Sequence, residues 1–146
     1  MVGIAERRDI EHDIAAVIVK LAHLGDQKDA AHAVELFTAA GSWKRGGVDY
    51  AGRDQLRDSY AKVAPATAVV RHCVLGTAVE IEGPDRATAI TYYCAFRYDE
   101  DTVTHQLPVP LDVPFAMGEW HDRFERTREG WRIARRQTVR VFQRRA

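Results

Sequence analysis

The chain has 146 residues, 21 of them basic and 21 acidic, for a formal net charge of zero; that length is expected to form one domain, 1–146, burying roughly 68% of its unfolded surface, enough for a core and a cavity. The charge balance argues against nucleic acid or an anionic membrane as the main partner. The first residues lack the apolar core of a signal peptide and no apolar run is long enough to span a bilayer, so a cytoplasmic protein is expected.

Ile10, Ile14, Val17, Leu21 and Leu24 recur at spacings of three and four, which predicts an amphipathic helix from about Ala5 to Gly25, where the glycine stops it. Asp29 is placed to cap a shorter helix running to about Ala39, with Ala30, Ala33, Val34 and Phe37 on its buried face. Gly41-Ser-Trp-Lys-Arg-Gly-Gly47 reads as a short strand and a turn. A third helix starts near Gly52, turns Leu56, Tyr60 and Val63 inward, and ends at Pro65.

From Val69 the period changes to two. One strand runs from Val69 to Glu82 and closes on the turn Gly83-Pro-Asp85; the next, Arg86 to Tyr98, is rich in Thr, Tyr, Ile and Phe. Its two faces, Tyr92/Cys94/Phe96/Tyr98 and Thr91/Tyr93/Ala95/Arg97, differ in bulk, and a single bulge decides which one turns inward. Both cysteines, Cys73 and Cys94, fall in these strands and are expected to be buried free thiols rather than a disulfide. Asp99 to Pro114 carries Pro108, Pro110 and Pro114, which exclude a central strand. A connection of this length with Leu107, Val109, Leu111 and Val113 is expected to be functional or an oligomer contact. His105, within it, reads as solvent-exposed, with a lid at the pocket mouth as the other reading.

The last segment, Gly118 to Phe142, is a hairpin turning at Arg128-Glu129-Gly130. Trp120, Asp122, Phe124 and Arg126 share one face; Trp131, Ile133, Arg135 and Gln137 share a face after the turn. Charged side chains among tryptophans suit a sheet that lines a partly polar pocket. Asp122 and Arg135 read as a cross-strand ion pair or as polar groups of that pocket. Arg135, Arg136, Arg140, Arg144 and Arg145 read as a solvated strand face and a frayed tail, with a phosphate-binding patch as the other reading. Helices followed by strands indicate an α+β fold, in which three N-terminal helices pack on a strongly curved, mostly antiparallel sheet to form a cone. The pocket is expected between the concave face and the helices.

Asp26, directly after the first helix, and His72, early in the first long strand, are the residues with useful chemistry. A carboxylate fixes an imidazole's tautomer and stabilises its protonated form, and an imidazole exchanges protons near neutral pH. Each also has a plain structural reading, Asp26 as a turn cap and His72 as a satisfied core histidine. His12 and His32 look exposed, and His23 lies off the main stripe of the first helix. No His, Cys or carboxylate spacing matches a metal motif, and no glycine-rich loop links a strand to a helix, so neither a metal nor a nucleotide cofactor is expected.

Leu24-Gly-Asp26 with Asp29, Leu36-Phe37 with Gly41-Ser-Trp43, Gly52, Arg71-His72, and the hairpin Asp122-Arg-Phe-x-Arg-Thr-x-x-Gly-Trp-Arg-Ile133 together give the chain a resemblance. It resembles the SnoaL-like branch of the nuclear transport factor 2-like superfamily, which includes scytalone dehydratase and hexachlorocyclohexane dehydrochlorinase. The resemblance covers nearly the whole chain and implies that Asp26 and His72 occupy the positions of the family's catalytic dyad. It also implies that Trp43 matches a pocket aromatic. Scytalone dehydratase has a second histidine on the strand before the last; that place falls on Met117 here, with His121 four residues on. Its water-binding tyrosines have no clear equivalent, since Leu21 and Gly25 stand on the first helix instead. Trp43, Met117, Trp120 and His121 are therefore the expected substrate contacts. The resemblance implies a cofactor-independent lyase or isomerase, dehydratase-like, acting on a small hydrophobic ring compound. A non-catalytic binding protein, or a subunit like the small subunit of ring-hydroxylating dioxygenases, is the alternative. A homodimer or homotrimer is expected, because an uncovered curved sheet would leave an apolar patch.

Overall fold

A computed structural model describes residues 1–99 and 106–146. The apolar stripe of the first helix, α1 (Ile4–Asp26), is sequestered at Ile10, Ile14, Ile18 and Leu21, each no more than 2% exposed. Val17 and Leu24, expected on that stripe, lie at its partly buried margin, so the stripe centres on Ile18. Burial of each such side chain contributes roughly 1.5–3 kcal/mol before chain entropy is counted. Among the described residues no helix is long and apolar enough to cross a membrane.

The second helix is much shorter than its sequence suggests. Asp29 does cap it, accepting from the His32 backbone N–H at 3.2 Å, but α2 spans only Ala30–Ala33, followed by a 3₁₀ turn at Val34–Leu36. Phe37 to Arg45 is instead a strand, β1, which hydrogen-bonds in parallel to the last strand of the chain. Helix propensity in the run Thr-Ala-Ala is only a few tenths of a kcal/mol per residue, and strand pairing overrides it. A bulge between Phe37 and Ser42 presses Gly41 against its neighbours: a Cβ there would lie 2.9 Å from the Ile133 carbonyl oxygen and 2.9 Å from the Phe37 Cβ. Only glycine fits that approach.

After a turn at Gly46–Gly47, β2 (Val48–Ala51) pairs antiparallel with β1. This strand was not expected from the sequence. Helix α3 (Gly52–Val63) follows, buried through Leu56 and Ser59. The remaining strands are β3 (Val69–Ile81), β4 (Arg86–Tyr98), β5 (Ala116–Thr127) and β6 (Gly130–Gln143). Their order in the sheet is β2-β1-β6-β5-β4-β3, antiparallel throughout except for β1 beside β6. The result is the expected α+β arrangement of three helices on one curved, mostly antiparallel sheet. His105 lies outside the described residues. The described part of its connection is largely exposed, including Leu107, Leu111 and Val113.

Bulges decide which side chains reach the interior. In β4 the Thr91/Tyr93/Ala95 face is buried and the Ile90/Tyr92 face is exposed. Cys73 and Cys94 are register partners on that outer side; both are free, and Cys73 is exposed rather than buried as expected. In the final hairpin, Arg123 pairs with Arg135 but Phe124 pairs with Ile133, leaving Ala134 as the extra residue. Inward parity on β6 therefore switches from Trp131 and Ile133 to Arg136 and Thr138. Arg135 is exposed and does not pair with Asp122. Arg136 does, through Nε to Oδ1 and Nη2 to Oδ2, both 2.7 Å, with both side chains fully buried. Arg136 is thus no part of a solvated face.

Removal of one partner of a buried pair strands the other's charge, which costs about 3–5 kcal/mol. Arg136→Ala should lower unfolding stability in urea by that amount, whereas Arg135→Ala should change it by no more than about 0.5 kcal/mol. Equal effects of the two variants would contradict this register.

Candidate active site

Asp26 is the last residue of α1, and His72 is the fourth residue of β3, on the half-buried side shared with Val70 and Val74. The two meet. Asp26 Oδ2 accepts the His72 backbone N–H at 2.8 Å, and Oδ1 lies 2.6 Å from His72 Nδ1. An ionised carboxylate can only accept, so Nδ1 carries the proton and Nε2 is left as the basic nitrogen. The Asp26 side chain is 6% exposed and that of His72 29%, so the acid is sequestered while the imidazole stays accessible.

Both residues line a cavity of about 740 Å³, within the roughly 300–1,000 Å³ typical of small-molecule sites. One wall is the end of α1, with Leu21, Ala22 and Gly25; another is α3, with Tyr60, Ala61 and Val63; the sheet forms the floor. The His72 ring lies 5.8 Å, centroid to centroid, from both Tyr93 and Trp120, which stack on each other at 4.5 Å and 10°. Gly118, the register partner of Tyr93, makes room for it: a Cβ there would lie 2.9 Å from the Tyr93 hydroxyl.

Across the floor, rings alternate with guanidinium groups. Arg136, held by Asp122, lies 4.4 Å over Trp120 and 5.3 Å from Trp43. Trp43 donates its Nε1–H to Thr138 Oγ1 at 2.8 Å, and Arg45 lies 4.3 Å over the other end of the row on Trp43. Each such cation–π contact is worth about 0.5–2 kcal/mol, more where water is excluded. Burial pushes the Tyr60 hydroxyl up to about 12 and raises that of Tyr93. The Tyr60 hydroxyl oxygen has no hydrogen-bond partner among the described residues.

Trp43 and Trp120, expected as substrate contacts, are cavity walls. Met117 and His121 are not. They alternate with Gly118, Trp120 and Asp122 on β5, so strand parity puts them on the opposite, convex face, where His121 Nε2 is 3.9 Å from Glu119 Oε2. His12, His23 and His32 are exposed, and His32 pairs with Asp29 at 2.7 Å. The cavity residues that sequence reasoning missed include Lys28, Arg45, Arg57, Asp58, Arg136, Thr138 and Arg140. A signal existed for Arg45, which stands two residues from Trp43 and so shares its face on a strand. None existed for Arg136 and Thr138, whose orientation depends on the bulge at Ala134. Among the described residues, no group of three or more His, Cys, Asp or Glu is arranged as a metal site.

The Tyr60 shift has a pH consequence. The unfolded state ionises near the ordinary value of 10.0 and the folded state only near about 12, so the unfolded state loses its proton first and stability falls with rising pH. Chemical denaturation between about pH 10 and pH 12 should show a loss of about 2–3 kcal/mol that Tyr60→Phe removes. An identical loss in the variant would contradict the burial of this hydroxyl.

The family model described as a SnoaL-like domain matches residues 6–137. Comparison with curated proteins finds no match. Among solved structures, the chain is similar to an NTF2-like protein with a cystatin-like fold from Novosphingobium aromaticivorans, at 22% identity and TM-score 0.75, covering 91% of this chain and 82% of that one. It is also similar to a candidate scytalone dehydratase from the same organism, at 12% identity and TM-score 0.80, with 97% and 91% covered. A candidate aromatic ring hydroxylase from that organism matches at 17% identity and TM-score 0.76, with 92% and 90% covered. At these identities the likeness is one of fold. The chain belongs to the SnoaL-like domain family and has the nuclear transport factor 2-like fold.

Proposed function

We propose that the protein is a cofactor-independent lyase or isomerase of the dehydratase type, in which His72 and Asp26 move a proton on a small ring compound held in the cavity. The observation that carries this reading is the contact of the Asp26 carboxylate with His72 Nδ1 at 2.6 Å on the wall of a cavity of about 740 Å³. In this reading His72 Nε2 takes a proton from the carbon beside a leaving group or carbonyl. The proton then goes to the departing hydroxyl, which leaves as water, to solvent when a halide leaves as its anion, or back to the rearranged substrate on isomerisation. Asp26 orients the ring and offsets its charge. Trp43, Tyr93 and Trp120 supply an aromatic margin of the cavity wall against which the ring of the substrate packs. The similarity to a candidate scytalone dehydratase is compatible with this chemistry, although that likeness is of fold alone.

A panel of hydroxylated or halogenated ring compounds, followed by mass spectrometry for loss of water or hydrogen halide or for isomerisation, should reveal turnover. His72→Ala should then lower kcat by about 10²–10⁴-fold, with a smaller effect on KM. Asp26→Asn, which removes the anionic partner and leaves a side chain of nearly the same shape, should lower kcat as well. Undiminished turnover in His72→Ala would exclude the mechanism.

The same fold as a non-catalytic subunit is the second reading, and the similarity to a candidate aromatic ring hydroxylase is compatible with it. A cavity lined by an acid–imidazole pair favours the enzyme. We further propose a homodimer or homotrimer through the convex sheet face, where Ile90, Tyr92 and Phe142 are 42%, 52% and 65% exposed. Light scattering on the eluting protein should give two or three chain masses at micromolar concentration; a monomer would contradict this.

A further inference from the structure

Of the cavity cations that have no carboxylate partner among the described residues, Arg45, Lys28 and Arg140, only Arg45 is partly buried. Arg136 is neutralised by Asp122, and Arg57 on α3 pairs with Asp54 at 3.0 Å. Lys28 donates to the carbonyl oxygens of Ala66 and Ala68. Arg140 donates to Gln143 at 3.1 Å and is exposed. Arg45 likewise has no carboxylate within ion-pair distance among the described residues, but unlike Lys28 and Arg140 it is partly buried. Its guanidinium is fixed all the same. Nη2 donates to Ser59 Oγ at 2.7 Å, and Ser59 is anchored in turn to the Leu56 carbonyl. The faces of Trp43, Tyr60 and Tyr50 surround the group at 4.3, 5.3 and 5.8 Å.

Side chains are held this way at sites that recognise planar anions. A guanidinium that is desolvated, stacked and bound by one edge keeps its remaining N–H groups in a fixed fork, and a carboxylate matches that fork in shape and charge. Burial holds the Arg45 guanidinium below its ordinary value, and the neighbouring Arg136 cation pushes the same way, while Tyr60 and Tyr50 push against them. An anion beside Arg45 would remove this electrostatic cost. Arg45 also stands at the far end of the row His72, Trp120, Arg136, Trp43, Arg45, in which each member touches the next. A ring compound packed against the cavity side of this row therefore has an imidazole at one end and a guanidinium at the other.

We propose that Arg45 is the anion-binding residue of the cavity and that its ligand is a ring compound bearing a carboxylate, held by that group at Arg45 with its ring packed against the cavity-side margins of Trp43 and Trp120. This deepens the functional reading above by naming the substrate class. It rests on the cavity being a ligand site, and it does not rest on proton transfer at His72.

The test uses a matched pair of probes, 2-naphthoate and 2-naphthamide, titrated into the full-length protein by calorimetry, with tryptophan fluorescence as a second readout. The wild type should bind the carboxylate at least about tenfold more tightly than the amide. Arg45→Met, which keeps the packing on Trp43, should abolish that preference while leaving amide binding within about twofold. Arg45→Lys, which keeps the charge without the fork, should retain part of it and guards against a folding defect in the first variant. His72→Ala should leave the preference intact, so loss of catalysis there and loss of anion preference at Arg45 are separable results. Equal affinity for both probes in the wild type, no binding of naphthoate, or an undiminished preference in a folded Arg45→Met would each overturn the proposal.

Discussion

Asp26 binds one residue twice. Its two oxygens reach the backbone N–H and the imidazole of His72, a residue 46 positions away in the chain. The backbone bond ties the end of α1 to the first long strand and so fixes one rim of the cavity. The side-chain bond fixes which imidazole nitrogen is protonated. Both oxygens of this carboxylate are occupied by N–H groups although it is nearly out of reach of water. Helix, strand and cavity wall are thus positioned by the same group that would support chemistry at the imidazole.

The sheet floor extends that logic away from the rim. Trp120 touches His72 on one side and the Arg136 guanidinium on the other, and Arg136 is fixed by the buried carboxylate of Asp122. A buried ion pair adds little net stability compared with an apolar pair of the same volume, but it tolerates no half-measures: one partner without the other is costly. It therefore acts as a register device. The bulge at Ala134 is required to bring Arg136 inward, and the pair with Asp122 rewards that bulge over the straight ladder that would have brought in Arg135. The tryptophans on either side are then positioned by charge as well as by packing.

Where hydrophobic period and punctuation agree, the fold is legible in the chain. Ile10, Ile14 and Leu21 mark α1, and Gly83-Pro-Asp85 separates β3 from β4, whose limits at Arg86 and Tyr98 match those expected. The reading fails where distant pairing decides. Thr38-Ala-Ala40 has no local reason to be extended; the parallel partner β6 supplies it. The site follows the same division. Nothing in the spacing of Asp26 and His72 brings them together, and only the resemblance to SnoaL-like chains links them. Met117 and His121 were aligned by counting along β5, but counting does not show that Gly118 and Trp120 take the inward positions. Arg45 was visible in parity with Trp43, yet its lack of a counter-charge is a property of the folded chain.

The most direct test of the central claim is the tautomer of His72, read from the ¹⁵N and ¹H correlations of its ring in the neutral imidazole form. The account predicts a proton on Nδ1, held by Asp26, and a bare Nε2, with that pattern lost in Asp26→Asn. A proton on Nε2 in the wild type, or a ring signal indifferent to the loss of the Asp26 charge, would contradict it.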